Sequence, residues 1–302
     1  MTRDGIIGVE IGLPSPPGYI PIIPKYVICR DGLWSRGPLA FCRVIDNYGP
    51  GGVSLAFERS GIDLIYDPLY GALMPYVRTF SVLEYVSPSQ ALALRALSGT
   101  GKLSHIVIAA TSIMAGLVGG IDLLGLTGSY AMLAEGEFSD LDFVVYGEEA
   151  SEAAYTLFSA RAKPVDCKED FGGFKVMGWA CSPWRRGLIP GLDRPISWVG
   201  VPAGDPGGHC PPLLERAGTG RPGLFEGELT IPGGQPTALL YPPCVKTEEG
   251  YYLISYEYNA GGPLYGGGRI LVKGLHYEGR NIIVVGSREV PGSLTLVGRY
   301  GG

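Results

Sequence analysis

Apolar and polar positions follow different rhythms along the chain. Over residues 1–86, short β-type runs (YVICR, LAFCRVI, DLIYD) are separated by the turn signals RDG and NYGPGG, which predicts a β-rich module. The stretch SPSQALALRALSG changes to helical spacing. Ser87 stands as N-cap, Pro88 at the first helical position, Gln90 closes a capping box and Gly99 lies just beyond the end. Residues 105–118 are almost wholly apolar and predict a helix covered on nearly all sides. IDLLGLT then reads as a buried strand, YAMLAE as a helical turn and LDFVVY as a second strand. EEASEAAYTLFSAR reads as a helix with Glu148, Glu149 and Glu152 at its positive end. KPVDCK reads as a third strand.

Beyond Glu226 the pattern is β-type. YYLISYEY precedes the Gly-rich loop NAGGPLYGGG, and RILVKGLHYEGRNIIVVGS predicts a hairpin turning at YEGR. Short strands with Gly-rich turns over this length predict a small barrel of the OB or SH3-like kind. The Pro- and Gly-rich stretch 202–225 marks a boundary. The expected organisation is an N-terminal β-rich module (1–86), an α/β core (87–200), and a linker with a C-terminal barrel (201–302).

Composition narrows the function. A 302-residue chain with 46% hydrophobic and 18% charged residues can bury sizeable cores. Its formal net charge of −5 supplies no global attraction to nucleic acid or anionic membranes. The most membrane-like run, IVIAATSIMAGLVGGIDLLGLTG, is interrupted by Gly119, Gly120 and Asp122, and the N-terminus carries no export pattern. The expectation is a soluble cytoplasmic protein with no membrane partner. The six cysteines show no CxxC spacing, which argues against zinc and makes buried free thiols the default; a disulfide stays open for a hyperthermophilic source.

The chemistry concentrates in TGSYAMLAEGEFSDLDFVVYG, residues 127–147. On a strand, Asp140 and Asp142 project from one face, roughly 7 Å apart. Like charges held together call for a cation, and two hard oxygen donors suit magnesium. Gly128 and Ser129 turn from a buried strand into a helical turn, a corner whose N–H groups and hydroxyl favour an anion. Metal carboxylates facing a phosphate-binding turn are the parts that nucleotidyl transfer needs. A lone D-x-D is most often a solvated strand end, and the order G-S, then D-x-D between apolar strands, is what raises the signal. Glu135 and Glu137 read as solvating the intervening loop.

G-S followed about ten residues later by S-D-x-D with apolar flanks resembles the signature of the polymerase-β-like nucleotidyltransferase superfamily, and SDLDFVVYG is especially similar to a group of archaeal nucleotidyltransferases. RDGLWSRGPLAFCRVI, WRRGL and ISYEYNAGGPLYGGGRILVKGLHYE extend the resemblance along the chain, with the RDG region shorter than in that group. The resemblance implies an α/β nucleotidyltransferase core in which Asp140 and Asp142 bind catalytic magnesium, while Gly128, Ser129 and Ser139 hold the nucleotide phosphates. It also implies a third carboxylate on a neighbouring strand, with Asp166 preferred over Asp193 and Asp170. Arg185 and Arg186, beside Trp184, offer a triphosphate clamp or an exposed basic turn. The expected substrates are a nucleoside triphosphate and a hydroxyl acceptor, RNA among the candidates. The alternative is a non-catalytic nucleotide- or RNA-binding protein on the same fold. Tyr251, Tyr252, Tyr256 and Tyr258 read as strand residues of a core and its rim before a base-stacking platform. SGTGKLS lacks the positions of a Walker A loop. His105, His209 and His276 are given no role.

Overall fold

The computed structural model describes residues 1–67, 72–97, 102–135, 139–165, 168–179, 184–205, 208–214, 222–277 and 281–299. The chain is a mixed α+β protein whose described residues form three sheets.

The first sheet comes from β1 (Ile6–Glu10), β2 (Tyr19–Cys29), β3 (Trp34–Arg36), β4 (Leu39–Arg43), β5 (Leu64–Asp67) and β6 (Ala72–Arg78). Its order is β3-β4-β2-β6-β5, with β1 also paired to β2. Between β4 and β5 lies α1 (Pro50–Ser60), where the sequence suggested only turns. The NYGPGG signal is the start of this helix: Pro50 supplies the preset φ of a first helical residue. Ile23, Val27, Val44, Ile45 and Ala56 pack together beneath α1.

The middle segment holds α2 (Pro88–Leu97), α3 (Lys102–Val118), β7 (Leu124–Thr127), α4 (Gly128–Ala131), β8 (Leu141–Tyr146), α5 (Glu148–Arg161), β9 (Asp170–Phe171), β10 (Phe174–Met177), β11 (Arg186–Gly187) and β12 (Ile196–Val201). The capping box of α2 forms as its residues dictate: Ser87 N–H donates to Gln90 Oε1 at 3.1 Å, and Gln90 N–H donates to Ser87 Oγ at 3.2 Å. Gly99 and most of SGTGKLS lie outside the described residues. Helix α3 departs from the expectation of all-round burial. Val107, Ala110 and Met114 face the core, while Ile108 is 42% exposed and Ala109, Ser112 and Gly116 share its open side. The absence of a polar face does not dictate a covering layer when that side consists mostly of small residues.

The sheet order here is β11-β12-β8-β7, with β12 parallel to β8 and β7 antiparallel to it. The described residues of KPVDCK, 163–165 and 168, form no strand beside β8. Lys163 makes one isolated bridge to Leu188, and β12, with its alternating ISWVGV, takes that place. Leu126, Phe143 and Trp198, in register across β7, β8 and β12, are all essentially buried.

The C-terminal segment adds α6 (Pro211–Leu214), β13 (Gly223–Ile231), β14 (Cys244–Lys246), β15 (Tyr252–Ser255), α7 (Gly261–Gly266), β16 (Gly268–Tyr277), β17 (Ile282–Val285) and β18 (Ser293–Gly298). The expected β16–β17 hairpin is present, with Tyr277 opposite Ile282. The expected barrel is not: the described strands form an open eight-stranded sheet. β16 pairs along its length with β13 and, on its other edge, with β17 and β18 in succession. The sheet then extends to β14 at one end and, through β10 parallel to β18, to β9 at the other, so no edge returns to close it. The Gly-rich loop NAGGPLYGGG holds α7, which packs on Trp184; a Cβ at Gly262 would lie 2.6 Å from that ring.

The free-thiol expectation is corrected for four cysteines. Cys29 and Cys42 join β2 to β4, and Cys210 and Cys244 join α6's leading edge to β14. Their Cα atoms stand 5.7 and 5.8 Å apart, within bridging range. Cys167 and Cys181 lie outside the described residues. Among the described residues no helix is long and apolar enough to cross a membrane.

Candidate active site

A polar row crosses one face of the middle sheet. Arg186 on β11 is in register with Ser197 on β12, Ser197 with Asp142 on β8, and Asp142 with Thr127 on β7. Residues in register on adjacent strands point to the same face. The next row, Leu126, Phe143 and Trp198, points into the core, and this buried layer fixes the register of the polar one.

Gly128 and Asp142 are pressed together at the end of this row. Gly128 has φ +68°, in the left-handed region, and a Cβ there would come 2.1 Å from Asp142 Oδ2. Both conformation and space require glycine. Ser129, in the four-residue helix α4, is 7% exposed and lines the same cleft. A helix this short has little macrodipole, so any anion here would depend on local N–H groups and the hydroxyl. The turn is braced from behind: Arg95 Nε donates to the Tyr130 carbonyl at 2.9 Å, and the Arg95 guanidinium pairs with Glu135. Glu135 therefore does not solvate the loop; its side chain is 9% exposed and spent on that ion pair. Glu137 lies outside the described residues.

The two aspartates differ. Asp142 lies within β8, and Ser197 Oγ donates to its Oδ1. Asp140 precedes the strand, and Arg186 donates to its Oδ2 from Nη2 at 2.7 Å and Nε at 3.0 Å. Arg186 thus reaches the site as the partner of Asp140. Ser139 lies on the cleft wall beside it, with its carbonyl accepting from Arg194 Nη1 at 3.2 Å. Arg185 turns the other way. Its Nε donates to Asn259 Oδ1 at 2.8 Å and its guanidinium stacks 5.2 Å from the Tyr258 ring centroid. Asn259 Nδ2 in turn donates to Glu257, whose carboxyl burial pushes above the ordinary range against the pull of Asn259 and Arg185. Arg185 is therefore tied to the C-terminal segment.

The preferred third carboxylate, Asp166, lies outside the described residues. Asp193 is exposed, and Asp170 is exposed on β9 with its Oδ1 accepting from Gly173 N–H. On the strand beside Asp142, the position in register holds Ser197. Among the described residues no group of three or more His, Cys, Asp or Glu side chains is placed to hold a metal ion. The fit to magnesium rests on the donor set. Asp142 keeps Oδ2 outside its hydrogen bond to Ser197, and Asp140 sets a second hard carboxylate just before the same strand, which suits an ion held by one or two carboxylates plus water and substrate oxygens, with no all-protein cage.

Tyr258 is buried in the middle core. Its hydroxyl donates to the Leu239 carbonyl and accepts from Gly200 N–H, both at 2.7 Å. Tyr258 is a core residue as read, but it opens a short 3-10 helix, Tyr258–Ala260, instead of lying in a strand.

Residues absent from the sequence reading complete the cleft, which spans about 2300 Å³. Ser197 is one, and the alternation of ISWVGV marks its face. Lys25 on β2 is another. Burial pushes its ammonium pKa down, but Tyr48, Asp142 and Tyr26 together outweigh that and hold it above the ordinary value. The N-terminal sheet docks on the segment after the Gly-Ser turn through Tyr26 and Phe41, which pack with Ala134 and Met132. Comparison of the chain with protein-family models, curated proteins and solved structures found no match in any of the three.

Proposed function

We propose that the chain is a nucleotidyltransferase that moves a nucleoside monophosphate from a triphosphate to a hydroxyl acceptor. The observation that carries this reading is the contact of Gly128 with Asp142: a left-handed glycine turn is built directly against a carboxylate at the end of a polar sheet row. Asp140 and Asp142 would hold magnesium, which when bound spreads the charge of the phosphates. The chain's own residues do the rest. Gly128 and Ser129 would seat the phosphates, with Ser139 on the adjoining wall. Ser197 orients Asp142 by its hydrogen bond, and Arg186 holds Asp140 until substrate competes for it. Asp166 is the proposed group that draws the proton from the attacking hydroxyl. A cytoplasmic setting in a heat-adapted archaeon accords with two disulfides, since intracellular proteins of such organisms keep them.

One observation favours a second reading, a nucleotide- or RNA-binding protein without transfer. The strand position in register with Asp142 carries Ser197 and no carboxylate. The two are separated by incubating the protein with α-labelled nucleoside triphosphates, magnesium and a cell extract, in parallel with Asp140→Asn. Label moved to an acceptor by the wild type alone supports transfer. Nucleotide bound without label moved supports the second reading, and no binding by either protein overturns both.

A further inference from the structure

On β2 Lys25 is the extra residue of a register irregularity: Ile7 pairs with Tyr26 and Gly8 with Pro24, so Lys25 has no register partner on β1. Ile23 and Val27 on either side pack under α1, and the irregularity sets an ammonium group between these apolar neighbours. Placing a charge there is unfavourable unless the surroundings repay it. The strand is fixed at this point, because the Lys25 carbonyl accepts from Val44 N–H at 2.9 Å. The ammonium lies 5.4 Å from the centroid of the Tyr48 ring, just before α1 begins. Among the described residues no carboxylate forms a direct ion pair with it. Lys25 and Tyr48 line the same cleft as Gly128, Ser129, Asp140 and Asp142.

We propose that Lys25 binds the polyphosphate of the nucleotide from the N-terminal sheet, while Gly128 and Ser129 hold it from the core. This rests on the nucleotide reading of the site. The core's own guanidinium groups are engaged, Arg186 with Asp140 and Arg185 with Asn259, whereas a triphosphate brings three or more negative charges into the cleft. A lysine is suited to that task as a compact point charge on a flexible stem. Tyr48 keeps the ammonium within the cleft through its ring face. The N-terminal module is thereby part of the site, and its docking through Tyr26 and Phe41 sets where the cation stands.

The test is equilibrium binding of MgATP and AMP to the wild type, Lys25→Met and Lys25→Arg, with thermal unfolding of each to verify folding. Lys25→Met is expected to weaken MgATP about 10- to 100-fold, the worth of a hydrogen bond to a charged group. AMP affinity should stay unchanged and Lys25→Arg should retain most MgATP affinity. Acetylation of wild-type lysines, read by mass spectrometry, gives a measurement free of any folding defect: MgATP should protect Lys25 and adenosine should not. Equal MgATP affinity of wild type and Lys25→Met, or a parallel loss of MgATP and AMP, overturns the role of Lys25 alone. Failure of the wild type to bind MgATP overturns the nucleotide reading with it.

Discussion

The cleft has two walls of different origin. The core wall is assembled within a short span, from Thr127 through Asp142, on two antiparallel strands whose register is fixed by Leu126 and Phe143 beneath. The facing wall comes from β2 and the start of α1, and it is joined to the core wall where Tyr26 and Phe41 pack with Ala134 and Met132. One wall is held by strand pairing and a buried layer, the other by packing between segments distant in sequence. Substitutions in the buried layer and the glycine turn of the first should therefore damage fold and chemistry together, isosteric changes of its carboxylates should act on chemistry alone, and replacement of Lys25 in the second should act mainly on binding.

The largest expected effect lies behind the core wall. Trp198 is 1% exposed and makes edge contacts with Trp184 and Tyr258. Trp198→Ala should cost about 3–5 kcal/mol of stability, measured by denaturant unfolding. A loss under 1 kcal/mol would show that this layer does not anchor the polar row. Asp142→Asn should lower transfer by about a hundredfold or more in the labelling assay while leaving the unfolding midpoint nearly unchanged. Transfer at the wild-type rate would remove Asp142 from the chemistry. Gly128→Ala faces both a left-handed φ and a clash with Asp142 Oδ2. It should cost about 1–2 kcal/mol in stability and at least tenfold in MgATP affinity. Retained affinity would mean that the turn does not touch the phosphates.

The smallest effect belongs to the facing wall. Arg36 on β3 donates to both Glu84 oxygens, at 2.9 and 2.6 Å, and this hydrogen bonding holds the Glu84 carboxyl below its ordinary range. A lowered carboxyl contributes stability that is present above the ordinary carboxylate range and is lost as pH falls through the folded value. The side chains are 32% and 38% exposed, so Arg36→Ala should cost under about 1 kcal/mol at neutral pH, and nothing once the medium is acid enough to protonate Glu84. An equal cost at both pH values would assign the effect to lost packing.

The same contrast explains what could be read in the residues alone. The α2 cap, β8 and α5 follow from local rules: Ser87 with Gln90, the apolar alternation of LDFVVY, and acidic residues at a helix start. Gly128, Asp140 and Asp142 stood out because their spacing is local as well. The strand that pairs with β8, β12, was not read as such because parallel partners are separated by a crossover whose length leaves no local trace. Ser197 and Lys25 were missed for that reason, one on a crossover strand and one in a different sheet. The open C-terminal sheet was read as a barrel because turn spacing reports hairpins, whereas closure depends on β10 joining β18 from a distant segment. A disulfide stayed open in the sequence but its pairing could not be read, because Cys29 and Cys42 carry no spacing signature and meet through the β2–β4 pairing.

Phosphates are expected to lie between the Gly-Ser turn and the aspartate pair. A crystal structure of the protein grown with magnesium and a non-hydrolysable nucleoside triphosphate analogue tests this most directly. The predicted result is density for the triphosphate against Ser129, a magnesium ion shared by Asp140 and Asp142, and the Arg186–Asp140 pair opened or rearranged. A nucleotide bound elsewhere in the cleft, with Asp142 still hydrogen-bonded only to Ser197 and Asp140 still paired to Arg186, would contradict it.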